Sequence, residues 1–410
     1  MVYKCEEEVG YSSISQKLNK SISLKDKKQD GIFFTPITTI KENVKFLQPY
    51  MNDIKHVLEP SCGSCEYIME LNRYGKKFHI TGVEYNKTIY ESIKELASDN
   101  IVLYNTDFLK FEDEKKYDLI VGNPPYFVLK KGNVESHYHD FFDGRPNIFI
   151  LFILKSLKLL NPNGILSFVL PKNFLNCAYY DKTRKYISKH YTLLNIMNCN
   201  DNFVDTNQTT VIVILQNKKD KTDSNDKYTL NINDFTIFGE IDTIVQLKNL
   251  TKNSTTLDKL DFVVNVGTII WNEYKNILTD DNTKTLLIYS SDIKSNTLQI
   301  QNYNNPEKKN YIKKKGIDKP LLVVNRGYGT GNYKFDYLLL EGGFEYLIEN
   351  HLICIKYSKP ISDEDLIVKY KKILSSLDEE RTKEFIKLYF GNSAINTTEL
   401  CKVLPIYGFT

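Results

Sequence analysis

The tetrapeptide Asn123-Pro124-Pro125-Tyr126 closes a short apolar run, "YDLIV" (117–121), after Gly122. Neither proline carries an N–H, so a central β-strand must stop there, leaving a carboxamide at its tip. Three other apolar runs end in residues suited to polar ligands. "KHVLE" (55–59) gives way to Glu59-Pro60-Ser61-Cys62-Gly63-Ser64-Cys65, "FHITGVEYN" (78–86) carries Glu84 and Tyr85, and "IVLYN" (101–105) leads to Asp107 and Phe108. A turn of small residues lets a ligand approach the backbone at a helix start. An acid after the second strand suits ribose hydroxyls. Each residue alone reads equally well as an ordinary turn or a solvated loop. Together they line four successive strand ends, where open parallel sheets bind ligands.

The elements between them alternate. Helices are expected over 65–75, over 87–98 with Ile89, Ile93 and Leu96 on one face, and over 147–160, which stops before Asn161-Pro162-Asn163-Gly164. Further strands are expected at 164–171, 191–197 and 209–216. This alternation predicts an α/β fold, a mainly parallel sheet with helices on both faces. Residues 1–30 are polar and read as a loosely held arm, and 31–217 as the α/β domain. The polar stretch around 218–228 reads as a linker. Residues 229–410, with Gly- and Asn-rich turns near 325–337 and a helical stretch near 362–389, read as a mixed α+β domain.

Composition narrows the setting. The 410 residues are 41% hydrophobic and 26% charged, ordinary for a globular chain of about two domains. No run is long enough to span a membrane, and the N-terminus lacks the apolar core of a secretory signal. Seven cysteines without framework spacing fit reduced thiols in a cytoplasmic setting. A net charge of +3 means that a nucleic-acid partner would be met by a local patch. Lys308, Lys309, Lys313, Lys314, Lys315 and Lys319, followed by Arg326, form such a run, although a solvated loop would look the same. Arg326, Tyr328, Asn332 and Tyr333 are candidate base readers.

The ordered set "GIFFTP" (31–36), "EPSCGSC", "GVEYN", "NTDF" (105–108), "GNPPY" and "GILSFVLP" (164–171) resembles the gamma class of S-adenosylmethionine-dependent DNA adenine-N6 methyltransferases of restriction–modification systems. The resemblance covers residues 31–217, and looser matches at 342–357 and 395–407 look like parts of a target-recognition domain. It implies a Rossmann-like methyltransferase sheet followed by that recognition domain. It also implies double-stranded DNA as partner, a separate cognate restriction endonuclease, no membrane, no metal, and a monomer. Catalysis would fall to Asn123, Pro124, Pro125 and Tyr126. The Asn123 side-chain oxygen and the Pro124 carbonyl would accept from the target amine, freeing its ring-delocalised lone pair, while the prolines hold both acceptors in place. Tyr126 and Phe203 would stack on a flipped base. For the cofactor, Thr35 and Pro36 would touch the methionine end. Glu59, Pro60, Ser61, Cys62 and Gly63 would border its amino acid. Glu84 would take the ribose, Tyr85 the adenine face, and Asp107 the adenine amine beside Phe108. Lys130, Lys313, Lys314, Lys315 and Arg326 would contact DNA, and the loop 127–146 could close over it.

One position departs from the resemblance. Cys65 stands where such families usually carry Gly, so a requirement for positive φ there would weaken cofactor binding. Cys62 and Cys65 also make a C-x-x-C at a helix start, a spacing open to acidified thiols and redox or metal chemistry. Two alternatives follow. One is a methyltransferase acting on an RNA base amine or a protein glutamine. The other is a cofactor-impaired nucleic-acid-binding module.

Overall fold

The computed structural model describes residues 10–74, 78–199, 208–218, 223–327, 335–390 and 394–409. Val57, Leu58, Leu119, Ile120 and Val121 are all fully buried, which demands cover on both faces of their sheet. Alternation splits them between two cores. Leu58 and Ile120 pack with Phe149 to Leu154 of one helix, whereas Val57, Leu119 and Val121 pack with Ile40, Val44, Ile68 and Leu71 of two others. The strands are β1 (His56–Glu59), β2 (His79–Glu84), β3 (Ile101–Asn105), β4 (Tyr117–Gly122), β5 (Leu160–Pro171), β6 (Thr192–Asn198) and β7 (Thr210–Gln216). Their order is β3-β2-β1-β4-β5-β7-β6, with β1 to β5 paired in parallel and β7 antiparallel to both neighbours. The order reverses between β1 and β4, opening a crevice at their carboxyl ends.

Among the described residues, the α-helices that accompany this sheet are α1 (Ser13–Ser21), α2 (Leu24–Asp30), α3 (Ile37–Leu47), α4 (Glu66–Asn72), α5 (Lys87–Ile93), α6 (Ile148–Leu159) and α7 (Asp181–His190). α6 is buried nearly all round, in keeping with its apolar sequence. α6 stops before Asn161 as expected, and Asn161 to Gly164 are then drawn into β5 as an irregularity. A Cβ on Gly164 would lie 2.9 Å from the carbonyls of both Asn161 and Tyr117.

The N-terminal stretch is docked, contrary to the loose arm expected. Tyr11 and Leu18 are buried with Phe34 and Ile89. Ser12, Ser15 and Ser64 are wholly buried because the Glu66 carboxylate accepts from all three, Ser12 Oγ lying 2.6 Å away. The docking face joins these hydroxyls to a short apolar row, Ile14, Leu18 and Ile22, at intervals of four within a polar stretch.

The chain divides into two compact units, one of residues 1–231 and 236–244, the other of 232–235 and 245–410. The division therefore falls later than the expected linker at 218–228. The reason lies in α7: buried Arg184 donates from Nε to the Thr236 carbonyl at 2.5 Å, and Asp181 Oδ1 accepts from the Thr236 N–H at 2.8 Å. The second unit is mixed α+β, as expected. One sheet orders Phe262–Val266, Leu352–Tyr357, Leu321–Asn325 and Tyr337–Leu340. The other orders Leu278–Thr279, Tyr311–Ile312, Thr285–Ile288 and Tyr346–Ile348, and helices span Asp363–Asp378, Glu380–Phe390 and Thr397–Lys402. No helix among the described residues is long and apolar enough to cross a membrane.

Candidate active site

A cavity of about 480 Å³ lies beyond the carboxyl ends of β1 to β4. Its wall takes Pro60, Ser61 and Gly63 from the turn after β1, Glu84 and Tyr85 from β2, Asp107 and Phe108 after β3, and Asn123 and Pro125 after β4. Four of the expected strand ends thus meet in one place. Glu59 and Cys62 are buried behind that wall. Thr35 and Pro36 are buried off it, and the N-terminal segment contributes Asp30 to Phe34 instead.

Glu84 is the best-anchored acid. Its Oε2 accepts from the Gly63 N–H at 2.9 Å and its Oε1 from the Asn86 N–H at 2.7 Å, so it ties the β1 turn to the β2 end. Burial pushes its carboxyl up to about 7, against the lowering effect of those backbone donors. Asn105 steadies the same corner, donating to the Glu84 carbonyl at 2.8 Å and to the Tyr85 carbonyl at 3.1 Å. Tyr85 itself is 69% exposed at the cavity mouth. Asp107 Oδ1 accepts from the Leu109 N–H at 2.9 Å, while Phe108 is buried against Phe152. Glu59 is buried with Oε2 unpartnered, and burial first, then the neighbouring Cys65, Glu66 and Glu84, raise its carboxyl well above the usual range.

Cys65 does occupy the left-handed region, at φ 64° and ψ 25°. Its side chain is wholly buried in the core with Ile68 and Leu71 and forms no part of the cavity wall. The strain is therefore local, and the turn keeps its shape. Cys62 is the reverse of an acidified thiol: its hydrogen bond with Cys65, then burial, raises it well above the ordinary thiol range.

Asn123 Nδ2 donates to the Phe33 carbonyl at 3.2 Å, and Ser61 Oγ donates to the Asn123 carbonyl at 3.0 Å. The Tyr126 hydroxyl lies 2.5 Å from Asn123 Oδ1 and 2.7 Å from the Val169 carbonyl, with one proton shared between the two acceptors. The Tyr126 ring stands edge-on to Phe149 at 6.0 Å and lies off the cavity wall, so it is not presented as an open stacking face. Burial holds the phenol neutral, pushing it well above its usual range. Phe203, Tyr328, Asn332 and Tyr333 lie outside the described residues.

The loop 127–146 lines the cavity through Phe127, Leu129, Asn133, Val134, Glu135 and Tyr138, and Lys130 is exposed on it. Val134, Tyr138 and Phe142 are buried in the core, and the Leu129 N–H bonds to the Pro146 carbonyl at 2.8 Å. It is a fixed wall. Those three apolar residues at intervals of four within a polar loop were the signal for this. Nothing in the residue types pointed to Phe33, whose contribution is a backbone carbonyl.

In the second unit, Lys308 lies over the rings of Tyr303 at 3.9 Å and Tyr289 at 4.2 Å. Lys309 pairs with Asp280, and Lys319 with Asp363. Lys313, Lys314 and Lys315 are exposed and, among the described residues, form no ion pair. Arg326 is exposed, its N–H donating to Asn325 Oδ1 at 3.0 Å.

Residues 16–204 match the Eco57I restriction-modification methylase family. The chain is 26% identical to the Type II methyltransferase M.CvrRI of Paramecium bursaria Chlorella virus XZ-6E, covering 96% of this chain and 98% of that one. It is 27% identical to the modification methylase CviBIII of Paramecium bursaria Chlorella virus NC1A, over 97% and 99%. A solved structure, a DrdV–DNA complex, matches 96% of this chain and 57% of its own with a TM-score of 0.53 at 12% identity, a likeness of fold. The expected methylase recognition, the Rossmann-like sheet with a mixed second domain, and S-adenosylmethionine as methyl donor are borne out.

The wall fits that donor. Glu84 and Asp107 put two carboxyl groups on it, with Phe108, Leu151 and Phe152 beside them as apolar cover, a mixed lining suited to a ligand with polar edges and a flat face. The unpartnered Glu59 Oε2 stands behind the β1 turn, where an ammonium group would complement it.

Proposed function

We propose that this chain, whose first unit carries an Eco57I-type restriction-modification methylase domain, is a sequence-specific DNA methyltransferase that modifies the N6 amine of an adenine flipped out of duplex DNA. The observation that carries the reading is Asn123: a carboxamide at the carboxyl end of β4, on the wall of the same cavity as Glu84 and Asp107, with its orientation fixed. S-adenosylmethionine supplies, when bound, a methyl carbon on a sulfonium with a neutral leaving group.

The rest falls to the chain's own groups. Glu84 and Asp107 hold the donor's polar edges, and the apolar wall from α6 and the 127–146 loop excludes water. Donation from Nδ2 to the Phe33 carbonyl fixes Asn123 Oδ1, which the Tyr126 hydroxyl contacts at 2.5 Å, as the end that accepts from the target amine. The Pro124 carbonyl is the second acceptor. Two acceptors draw the amine toward a tetrahedral geometry and localise its lone pair for in-line attack, and their rigidity spares reorganisation during the reaction. The amine becomes acidic once methylated, so its surplus proton leaves without a dedicated base. Extruding the base costs a few kcal/mol, offset by contacts in the pocket.

The test incubates the full chain with labelled S-adenosylmethionine and mixed duplex DNA and maps the modified bases by sequencing. N6-methyladenine in one sequence context is expected. Label found only on RNA or protein would overturn the DNA reading. Asn123→Ala should abolish transfer while leaving donor affinity within about twofold; a matching loss of donor binding would mean that Asn123 serves the cofactor instead.

A further inference from the structure

Most of the Asn123 contacts cannot leave. Nδ2 is committed to the main chain of Phe33, and the Asn123 carbonyl to Ser61 in the β1 turn. The partner of Oδ1 is of another kind, because it is the end of a rotatable side chain, the Tyr126 phenol. We propose that Tyr126 is the resident occupant of the Asn123 acceptor in the free protein, and that a target amine takes over Oδ1 as the phenol leaves, its ring then turning its face to the base. This inference rests on the methyl-transfer reading above and adds a step to it.

Three features support an exchange confined to the side chain. The main chain of Tyr126 is pinned: a Cβ on Gly31, itself at φ +66°, would lie 2.9 Å from the Tyr126 nitrogen and 3.0 Å from the Phe127 ring. The N-terminal segment therefore sits directly on this backbone, and only the χ angles of Tyr126 are left to move. The hydroxyl divides one proton between Asn123 Oδ1 and the Val169 carbonyl, while the ring packs edge-on against Phe149 at the margin of the core. Departure costs the Val169 carbonyl its phenol donor, whereas on Asn123 Oδ1 the incoming N–H takes the phenol's place. In the free protein the phenol also keeps the clamp aimed, by holding Oδ1 of the half-buried Asn123 in one orientation. The exchange favours donors: a base presenting a carbonyl oxygen at that point has no proton to offer and leaves the phenol in place.

Tyr126→Phe separates this role from stacking, since the ring is kept and only the hydroxyl is lost. With the full chain in the absence of DNA, a double-mutant cycle of Tyr126→Phe and Asn123→Ala is read by thermal melting of the first unit. A non-additive shift of about 2–4 °C is expected for one hydrogen bond. Once the methylated sequence has been mapped, the affinity of Tyr126→Phe for duplex containing that site, relative to random duplex, should rise about 2- to 10-fold, the worth of the bond no longer broken. A 2-aminopurine at the target position should brighten in parallel. An additive cycle, or an unchanged or reduced affinity ratio, overturns the resident-phenol proposal even where the wild type methylates DNA. Coupling in the cycle together with a wild type that transfers no methyl group to duplex DNA would refute the DNA reading and uphold the phenol contact.

Discussion

Glu84 has both carboxylate oxygens turned onto backbone N–H groups and a carboxyl pushed up to about 7 by burial. Its ordinary value is 4.5, so between about pH 4.5 and 7 the folded chain holds a proton that the unfolded chain releases. The contribution of this group to stability therefore falls as pH rises through that window. Ligand binding runs the other way, because the ionised carboxylate is the stronger acceptor for ribose hydroxyls. Calorimetric affinity for S-adenosylmethionine should weaken on going from pH 8 to pH 6, and Glu84→Gln should flatten the profile while lowering affinity throughout. A wild-type profile as flat as the variant's would remove Glu84 from the ribose role. Cys65 poses a separate question at the same scale. Relief of a left-handed non-glycine residue is worth roughly 1–2 kcal/mol, whereas Cys65→Gly loses a buried thiol and adds freedom to the unfolded chain. These offset, so urea unfolding should move by less than about 1 kcal/mol, with donor affinity unchanged because the side chain faces the core. A large gain in affinity would revive the idea of a cofactor-impaired module.

At the scale of elements, the N-terminal helix α1 depends on one carboxylate. Glu66 accepts from Ser12, Ser15 and Ser64, all wholly buried, and it begins α4 directly after the Cys65 turn. Glu66→Ala would leave three buried hydroxyls with a lost acceptor, and a loss of about 2–4 kcal/mol in urea unfolding is expected. Donor affinity should fall with it, since the segment that α1 anchors runs on to Asp30–Phe34, which line the cavity. Retained affinity in a destabilised variant would show the wall to be independent of α1. This element also marks the limit of what the sequence discloses. Runs such as "YDLIV" declare themselves as strands because both faces are buried, and the parallel-sheet rule then locates Glu84, Asp107 and Asn123 at adjoining ends. The polar composition of residues 10–30 masks the short row Ile14, Leu18 and Ile22. The buried serines give no signal of their own, and the loop 127–146 sets three core residues among charges. Tyr126 could be placed beside Asn123 from sequence, but the direction of its ring is set by Val169 and Phe149, more than twenty residues away in the chain.

For the whole molecule, 54 basic against 51 acidic residues leave little general field, so attraction to a polyanion must come from particular lysines. Local pairing consumes several candidates. Lys309 is neutralised by Asp280, Lys319 by Asp363, and Lys308 is spent on the Tyr289 and Tyr303 rings. Lys313, Lys314 and Lys315, which directly follow the strand Tyr311–Ile312, stay exposed and form no close ion pair among the described residues, although Lys313 feels Asp281 and Lys314 lies over the Tyr274 ring at 4.7 Å. If they meet phosphates, each releases about one counterion from duplex DNA. Replacing all three by Ala should lower the slope of log Kd against log salt by about 2–3 and weaken random and recognised duplexes alike, because phosphate contacts carry no sequence information. S-adenosylmethionine affinity in the same variant reports whether the first unit is intact. An unaltered salt slope would exclude this run from the DNA interface, and a loss confined to the recognised sequence would make these lysines base readers instead.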